Sequence, residues 1–125
     1  MTEAIFDTEV IRLGSCAKEM LDENMIVLFG KEVPELVEDV SFIHSSNCLK
    51  AEPKKGDVLA IGETSFEIDD VGKLVYKNLS ELGHCTIQFI KDESEEAILP
   101  GTILVRTDEL PEIDVQTQVK IFKRD

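Results

Sequence analysis

The chain has 125 residues and 26 acidic against 13 basic side chains, for a formal net charge of −13. That balance argues against nucleic acid or an anionic membrane surface as a partner, because both are bound through excess positive charge. Three cysteines with no C-x-x-C pair suggest neither a disulfide framework nor a zinc clip, and they fit a reducing cytoplasm.

The opening "MTEAIFDTEV" lacks a basic segment followed by an apolar one, and no apolar run is long enough to span a bilayer. A soluble, unexported protein is expected. With no repeat and no low-complexity linker, residues 1–125 read as a single domain. In chain order, the β-branched stretch 5–13 predicts a first strand and "MIVLFG" at 25–30 a second. Between them Ser15 can cap a short helix over "CAKEMLDE", and after them Pro34 can occupy the first turn of "PELVEDV". Residues 57–72 read as a hairpin turning near Gly62 to Ser65. In "VGKLVYKNLSELGH", Leu74, Val75, Leu79 and Leu82 follow a helical spacing, and Gly83 supplies the left-handed stop. His84 then opens a strand over 84–90, and two more follow at 101–107 and 117–123. Strands at this spacing predict a mainly β protein, a closed barrel or a sandwich, with two or three short helices.

The candidate chemistry centres on "SFIHSSNCLK", residues 41–50. His44 is either a half-buried strand residue or a nitrogen presented at the mouth of a loop. In the second case it should be replaceable by Ala or Gln without loss of folding. His44 with Cys48 is half a metal site at best, and a Cys–His hydrolase would need a thiolate that nothing in the sequence marks out. The glycine-rich nucleotide motifs and G-x-S-x-G are absent, so no metal and no cofactor is expected. The loop does offer a largely neutral imidazole followed by Ser45, Ser46 and Asn47, whose donors could gather around an anion. Residues 44–56 carry a net charge of +2 through Lys50, Lys54 and Lys55, beside an acidic segment 31–39 with a net of −3. A mildly basic loop next to acidic residues suits a phosphate that is held and then released. The acidic run "DESEE" at 92–96 reads as a solvated loop.

Several stretches together are similar to one family. "SFIHSSNCLK" followed by "GDVLAIG", then "VGKLVYKNLSELGHCTIQF" and "LPGTILV", resembles the glucitol/sorbitol-specific enzyme IIA component of the bacterial phosphoenolpyruvate-dependent sugar phosphotransferase system. The match in order and spacing runs from about residue 4 to residue 122. The resemblance implies a β-barrel of about six strands and a phosphohistidine at His44. It implies as partners the phosphocarrier protein HPr as donor and the enzyme IIB and IIC permease components as acceptors. His84, in the matching E-L-G-H segment, has a possible supporting role, and Glu35 and Glu38 are partner-binding candidates. Relatives can carry a second histidine two residues beyond the first, where this chain has Ser46. The other function class is a regulatory or adapter domain that keeps the barrel and binds through an acidic face without accepting phosphate.

Overall fold

The structure is a computed structural model that describes residues 4–45, 49–91 and 98–124. Ser46, Asn47, Cys48 and the acidic run at 92–96 lie outside the described residues. In chain order the elements are β1 (Ala4–Leu13), α1 (Ala17–Asp22), β2 (Met25–Phe29), α2 (Glu35–Glu38), β3 (Ser41–His44), β4 (Val58–Ile61), β5 (Thr64–Val71), α3 (Val75–Leu82), β6 (Cys85–Ile90), β7 (Thr102–Arg106) and β8 (Gln118–Phe122). The strands close into a barrel in the order β1-β3-β2-β6-β7-β5-β4-β8, with β8 returning to β1.

The described residues thus form eight strands rather than about six. The strand that sequence reasoning missed is β3. All four of its residues are buried, so it lacks the in–out alternation that marks a half-exposed strand. Its last residue is His44. Phe42 points into the barrel, whereas the Ser41 hydroxyl donates to the Val37 carbonyl of α2 at 2.6 Å. Most junctions are antiparallel, but β2 runs parallel to β3 and β6 parallel to β7.

Strands β1, β4, β5, β6 and β8 alternate over most of their length, whereas β2 and β7 are buried almost throughout. Phe6 and Val10 of β1, Leu59 and Ile61 of β4, Phe66 and Ile68 of β5, Ile87 and Phe89 of β6, Ile103 and Val105 of β7, and Val119 and Ile121 of β8 share one buried cluster that fills the barrel. Thr8 is the polar exception, because it takes an inward position between Phe6 and Val10 and is only 4 % exposed.

The helices are short and depart slightly from expectation. At α1 the N-cap position falls on Cys16, with no side-chain cap, so Ser15 does not cap it. The Cys16 N–H instead bonds the Asp39 carbonyl at 2.7 Å. Pro34 precedes α2 as its N-cap in an extended conformation rather than lying in the first turn. Helix α3 matches its predicted span and packs Val75 and Leu79 onto the barrel, while Leu74 and Leu82 are exposed. Gly83 ends α3 at φ 65°, its N–H bonded to the Leu79 carbonyl, and His84 N–H reaches the Asn78 carbonyl. Strand β6 begins one residue later than expected, at Cys85. No helix of the described residues is long and apolar enough to cross a membrane.

One buried acid ties the β4 entry to the C-terminal strand. Asp57, 4 % exposed, accepts from the Lys54 N–H at 2.8 Å, the Arg124 N–H at 3.1 Å and Lys123 Nζ at 3.0 Å. Burial alone would raise its pKa, but the backbone donors and Lys123 outweigh that and hold the carboxyl below the usual value. A depressed folded-state pKa stabilises the fold above the unfolded value, and that contribution is lost as the pH falls through the folded value. Asp57→Asn should therefore cost about 1–3 kcal/mol at pH 7. The gap between wild type and variant should narrow once the pH drops below about 4, where the unfolded carboxyl protonates. Urea melts across that range check this, and a gap constant down to pH 2 would contradict it.

Candidate functional site

His44 is fully buried, at 0 % exposure, with its ring turned into the barrel and its edge on Phe6 at a centroid distance of 5.6 Å. Of the two sequence readings, a loop-mouth nitrogen and a half-buried strand residue, the structure corrects both toward a strand end that is wholly enclosed. Main-chain bonds fix its place. Strand β3 pairs with β1 at Val10↔His44, and the Ser45 N–H donates to the Glu9 carbonyl at 3.0 Å.

Both ring nitrogens are engaged. Nδ1 lies 2.8 Å from Thr8 Oγ1, and Nε2 lies 2.6 Å from the Gly83 carbonyl oxygen. A carbonyl can only accept, so Nε2 carries a proton here. In the neutral ring Nδ1 then accepts from the Thr8 hydroxyl. The arrangement is that of an imidazole oriented from both ends, by a hydroxyl 36 residues earlier in the chain and a carbonyl 39 residues later.

A cavity of about 320 Å³ borders this histidine, lined by Gly30, Lys31, Glu32, His44, Ser45, Glu81 and Leu82. Its walls come from the end of β2 and the end of α3, which are joined by the Gly30 N–H to the Leu82 carbonyl at 3.0 Å. Of the phosphate-loop candidates, Ser45 is at the cavity, and Ser46 and Asn47 lie outside the described residues. The basic loop is not brought here. Lys54 and Lys55 line a different depression, of about 200 Å³, with Asp70 and Lys73. Among the described residues, the cation lining the His44 cavity is Lys31, from the segment read as acidic. A larger groove of about 710 Å³, lined by Lys18, Asp22, Glu63, Leu110, Glu112 and Asp114 among others, shares no residue with the His44 cavity.

His84 is half-buried. Its Nδ1 donates to the Leu28 carbonyl at 3.0 Å and its ring stacks on Phe29 at 4.4 Å. Its link to His44 runs through the Gly83–His84 peptide, whose carbonyl holds Nε2. Glu35 and Glu38 sit on α2, but one carboxylate oxygen of Glu38, Oε2, accepts from both Nη2 and Nε of Arg12, at 2.7 and 3.2 Å. Cys85 faces the barrel interior, where burial pushes its thiol up to about 12 and leaves it protonated at neutral pH. Among the described residues, no three His, Cys, Asp or Glu side chains are grouped to hold a metal ion.

Sequence reasoning missed Thr8, Gly83, Lys31, Glu81 and Leu82. Only Thr8 left a signal, as a polar residue at an inward position of an otherwise apolar strand face.

Residues 5–120 match the family model described as PTS system glucitol/sorbitol-specific IIA component. The chain is 34% identical over 101 residues to the PTS system glucitol/sorbitol-specific EIIA components of Shigella flexneri and of Escherichia coli (strain K12), a stretch covering 81% of this chain and 80% of each relative. Its fold is that of a solved PTS system IIA component from Enterococcus faecalis V583, with a TM-score of 0.83 over 94% of this chain and 100% of the other, at 24% identity. With its barrel, its enclosed histidine and a family match across nearly its whole length, the chain belongs to the glucitol/sorbitol-specific IIA components of the sugar phosphotransferase system.

Proposed function

We propose that this protein is a phosphocarrier in which His44 accepts a phosphoryl group from the histidine of phospho-HPr and passes it to the cognate enzyme IIB during sugar uptake through the IIC permease. The observation that carries the reading is the His44 imidazole, oriented at both nitrogens and bordering a cavity, within a member of this family. An imidazole nitrogen displaces the donor nitrogen at phosphorus, and a second in-line displacement regenerates it. Such transfers depend on alignment and on stabilising charge spread over the phosphoryl oxygens. Lys31 at the cavity supplies positive charge, and the Ser45 hydroxyl supplies a nearby donor. The mechanism asks for no cofactor. His84 supports the site from behind, since the Leu28 bond and the Phe29 stack fix the peptide that presents the Gly83 carbonyl. The reaction takes place in the cytoplasm, where HPr and enzyme I meet the permease.

Incubation with phosphoenolpyruvate, enzyme I and HPr is the test. It should yield one phosphoryl group per chain, acid-labile and base-stable as a P–N linkage is. A protein that stays unlabelled while binding a regulator would be an adapter on the same barrel instead.

The acidic side chains at the cavity, Glu32 and Glu81, with Glu35 on α2 beyond, suit a basic rim on the donor. The labelling rate at limiting HPr should therefore fall as salt rises toward physiological ionic strength, where the Debye length is about 8 Å. Glu35→Lys should slow labelling while stability stays within about 0.5 kcal/mol. Glu35 is the cleaner probe, because reversal at Glu38 would also break its pair with Arg12. A rate indifferent to both salt and Glu35→Lys would remove charge from the account of docking.

A further inference from the structure

We infer that the large groove at the barrel end remote from His44 docks a basic cytoplasmic segment of the IIC permease, anchored there by an apolar side chain. The inference rests on the reading of this protein as a carrier that serves such a permease. Strand polarity separates the two openings. Strand β1 runs antiparallel to both β3 and β8, and β8 runs antiparallel to β4. The finish of β1 and of β4 and the start of β8 therefore lie at one end of the barrel, whereas His44, the last residue of β3, belongs to the other. The groove of about 710 Å³ is built at the first end, from α1, the 61–64 turn and the loop that precedes β8.

Apolar and acidic side chains line this groove together. Ile61 and Ile113 belong to the buried core, Leu21 packs against it, and Leu110 is left 41 % exposed. The charged lining is Asp22, Glu63, Glu112 and Asp114 against Lys18. Lys18 is held by Asp114 at 2.8 Å, and no cation among the described residues pairs with the other three carboxylates. The surface is also preformed. Residues 107–117 make neither helix nor strand, and a loop of that length inside a compact domain usually carries function. Main-chain bonds tie it to β1, from the Val10 N–H to the Thr117 carbonyl at 2.9 Å and from the Gln116 N–H to the Val10 carbonyl at 2.7 Å. The Asp114 N–H donates to Thr117 Oγ1 at 2.9 Å, and the Lys18 pair joins the loop to α1. A partner thus meets a fixed surface, with little ordering cost on this side.

Charge selects the occupant. Three carboxylates without a cation disfavour an anion or an anionic lipid surface, and they suit a segment that carries Lys or Arg beside an apolar anchor for Leu110. Cytoplasmic loops of membrane proteins carry an excess of Lys and Arg, so the permease presents such segments as a rule. The phosphoryl donor calls for a basic surface too, but it has to meet His44 at the other end. A segment seated in the groove covers none of the residues that line the His44 cavity. The carrier can then be held at the permease while its histidine serves donor and acceptor in turn. Such tethering turns transfer to enzyme IIB into a local event, at an effective concentration on the order of millimolar for a short tether.

Co-sedimentation of the full chain with lipid vesicles that carry the cognate permease is the test. Wild type should be retained, and less so as salt rises. Leu110→Asp should weaken retention about tenfold or more, and the double variant Glu63→Lys/Glu112→Lys should do so through the charged lining alone. Both variants should take phosphate from phospho-HPr at the wild-type rate. Wild-type retention in both variants overturns the inference. Equal retention on vesicles of the same lipid without permease would assign the groove to lipid, and a concentration-dependent dimer lost in Leu110→Asp would assign it to a second copy of this chain; either result overturns it as well. Should Leu110→Asp fail to fold, the exposed pair Glu63 and Glu112 decides. A wild-type protein that is labelled by phospho-HPr but not retained loses the docking site alone, whereas one that takes no phosphate overturns the proposed function, so the two failures are told apart.

Discussion

His44→Gln should take up no phosphate from phospho-HPr, and it should also be measurably less stable than wild type. The first effect follows from losing the nitrogen proposed to form the P–N bond. The second follows from burial. A surface-loop histidine would be replaced at no cost, but this ring is fully enclosed and satisfies Thr8 Oγ1 and the Gly83 carbonyl at once. A glutamine amide can keep one of these contacts, so a loss of about 1–3 kcal/mol is expected. His44→Ala should cost more, because it leaves both partners unpaired and a void against Phe6. Denaturant melts with an unchanged slope, beside an intact-mass assay for phosphate, measure both effects. Labelling of His44→Gln at the wild-type level would show that another residue carries the phosphate.

Gly83→Ala should damage both stability and transfer. Its φ of 65° costs a non-glycine residue about 1–2 kcal/mol. An added Cβ would in addition meet Gly30 N and Cα at 3.0 Å, backbone atoms that cannot swing aside, and His44 Cε1 at 3.1 Å. The total should reach about 2–4 kcal/mol. Gly56→Ala is the control. That residue also has positive φ, 92°, but a Cβ there would meet nothing within 4 Å. The excess cost at Gly83 over Gly56, together with slower phosphoryl uptake in Gly83→Ala alone, would isolate the contact with His44. Equal behaviour of the two variants would mean that Gly30 and the ring give way freely.

Much of this barrel is legible in the sequence, because a strand with one face inward writes its geometry as alternation. Phe66 and Ile68 alternate with Glu67, and Val119 and Ile121 with Lys120; β8 lies within a residue of its predicted position, while β5 already begins at Thr64, inside the turn expected over 62–65. Helix α3 was legible through its spacing and the glycine that ends it. Strand β3 was not, since its four buried residues carry no period and, unlike in the equally buried β2, Ser41 and His44 interrupt its apolar run. The histidine itself could be picked out by residue type and by family resemblance. Its environment could not, because Thr8 and Gly83 reach it only through the barrel closure, and nothing local to either announces the other. The charge pattern misled for the same reason. Lys54 and Lys55 are closer to His44 in sequence than many residues, yet they line another depression, while Lys31 comes to the site along the parallel pairing of β2 with β3.

The place of β8 between β1 and β4 bears on how the protein comes into being at the ribosome. While residues 1–117 alone have emerged, β1 and β4 each present an open row of amides and carbonyls over the segments that later pair with β8. Such edges invite pairing with other chains. The sheet can become a closed ring only after Gln118–Phe122 leaves the exit tunnel, and until then the strands already made form no more than an open, curved sheet. Thr8 lies on the stretch of β1 that pairs with β8, at Thr8↔Val119. The contact between Thr8 and His44 is therefore settled only once β8 has joined β1.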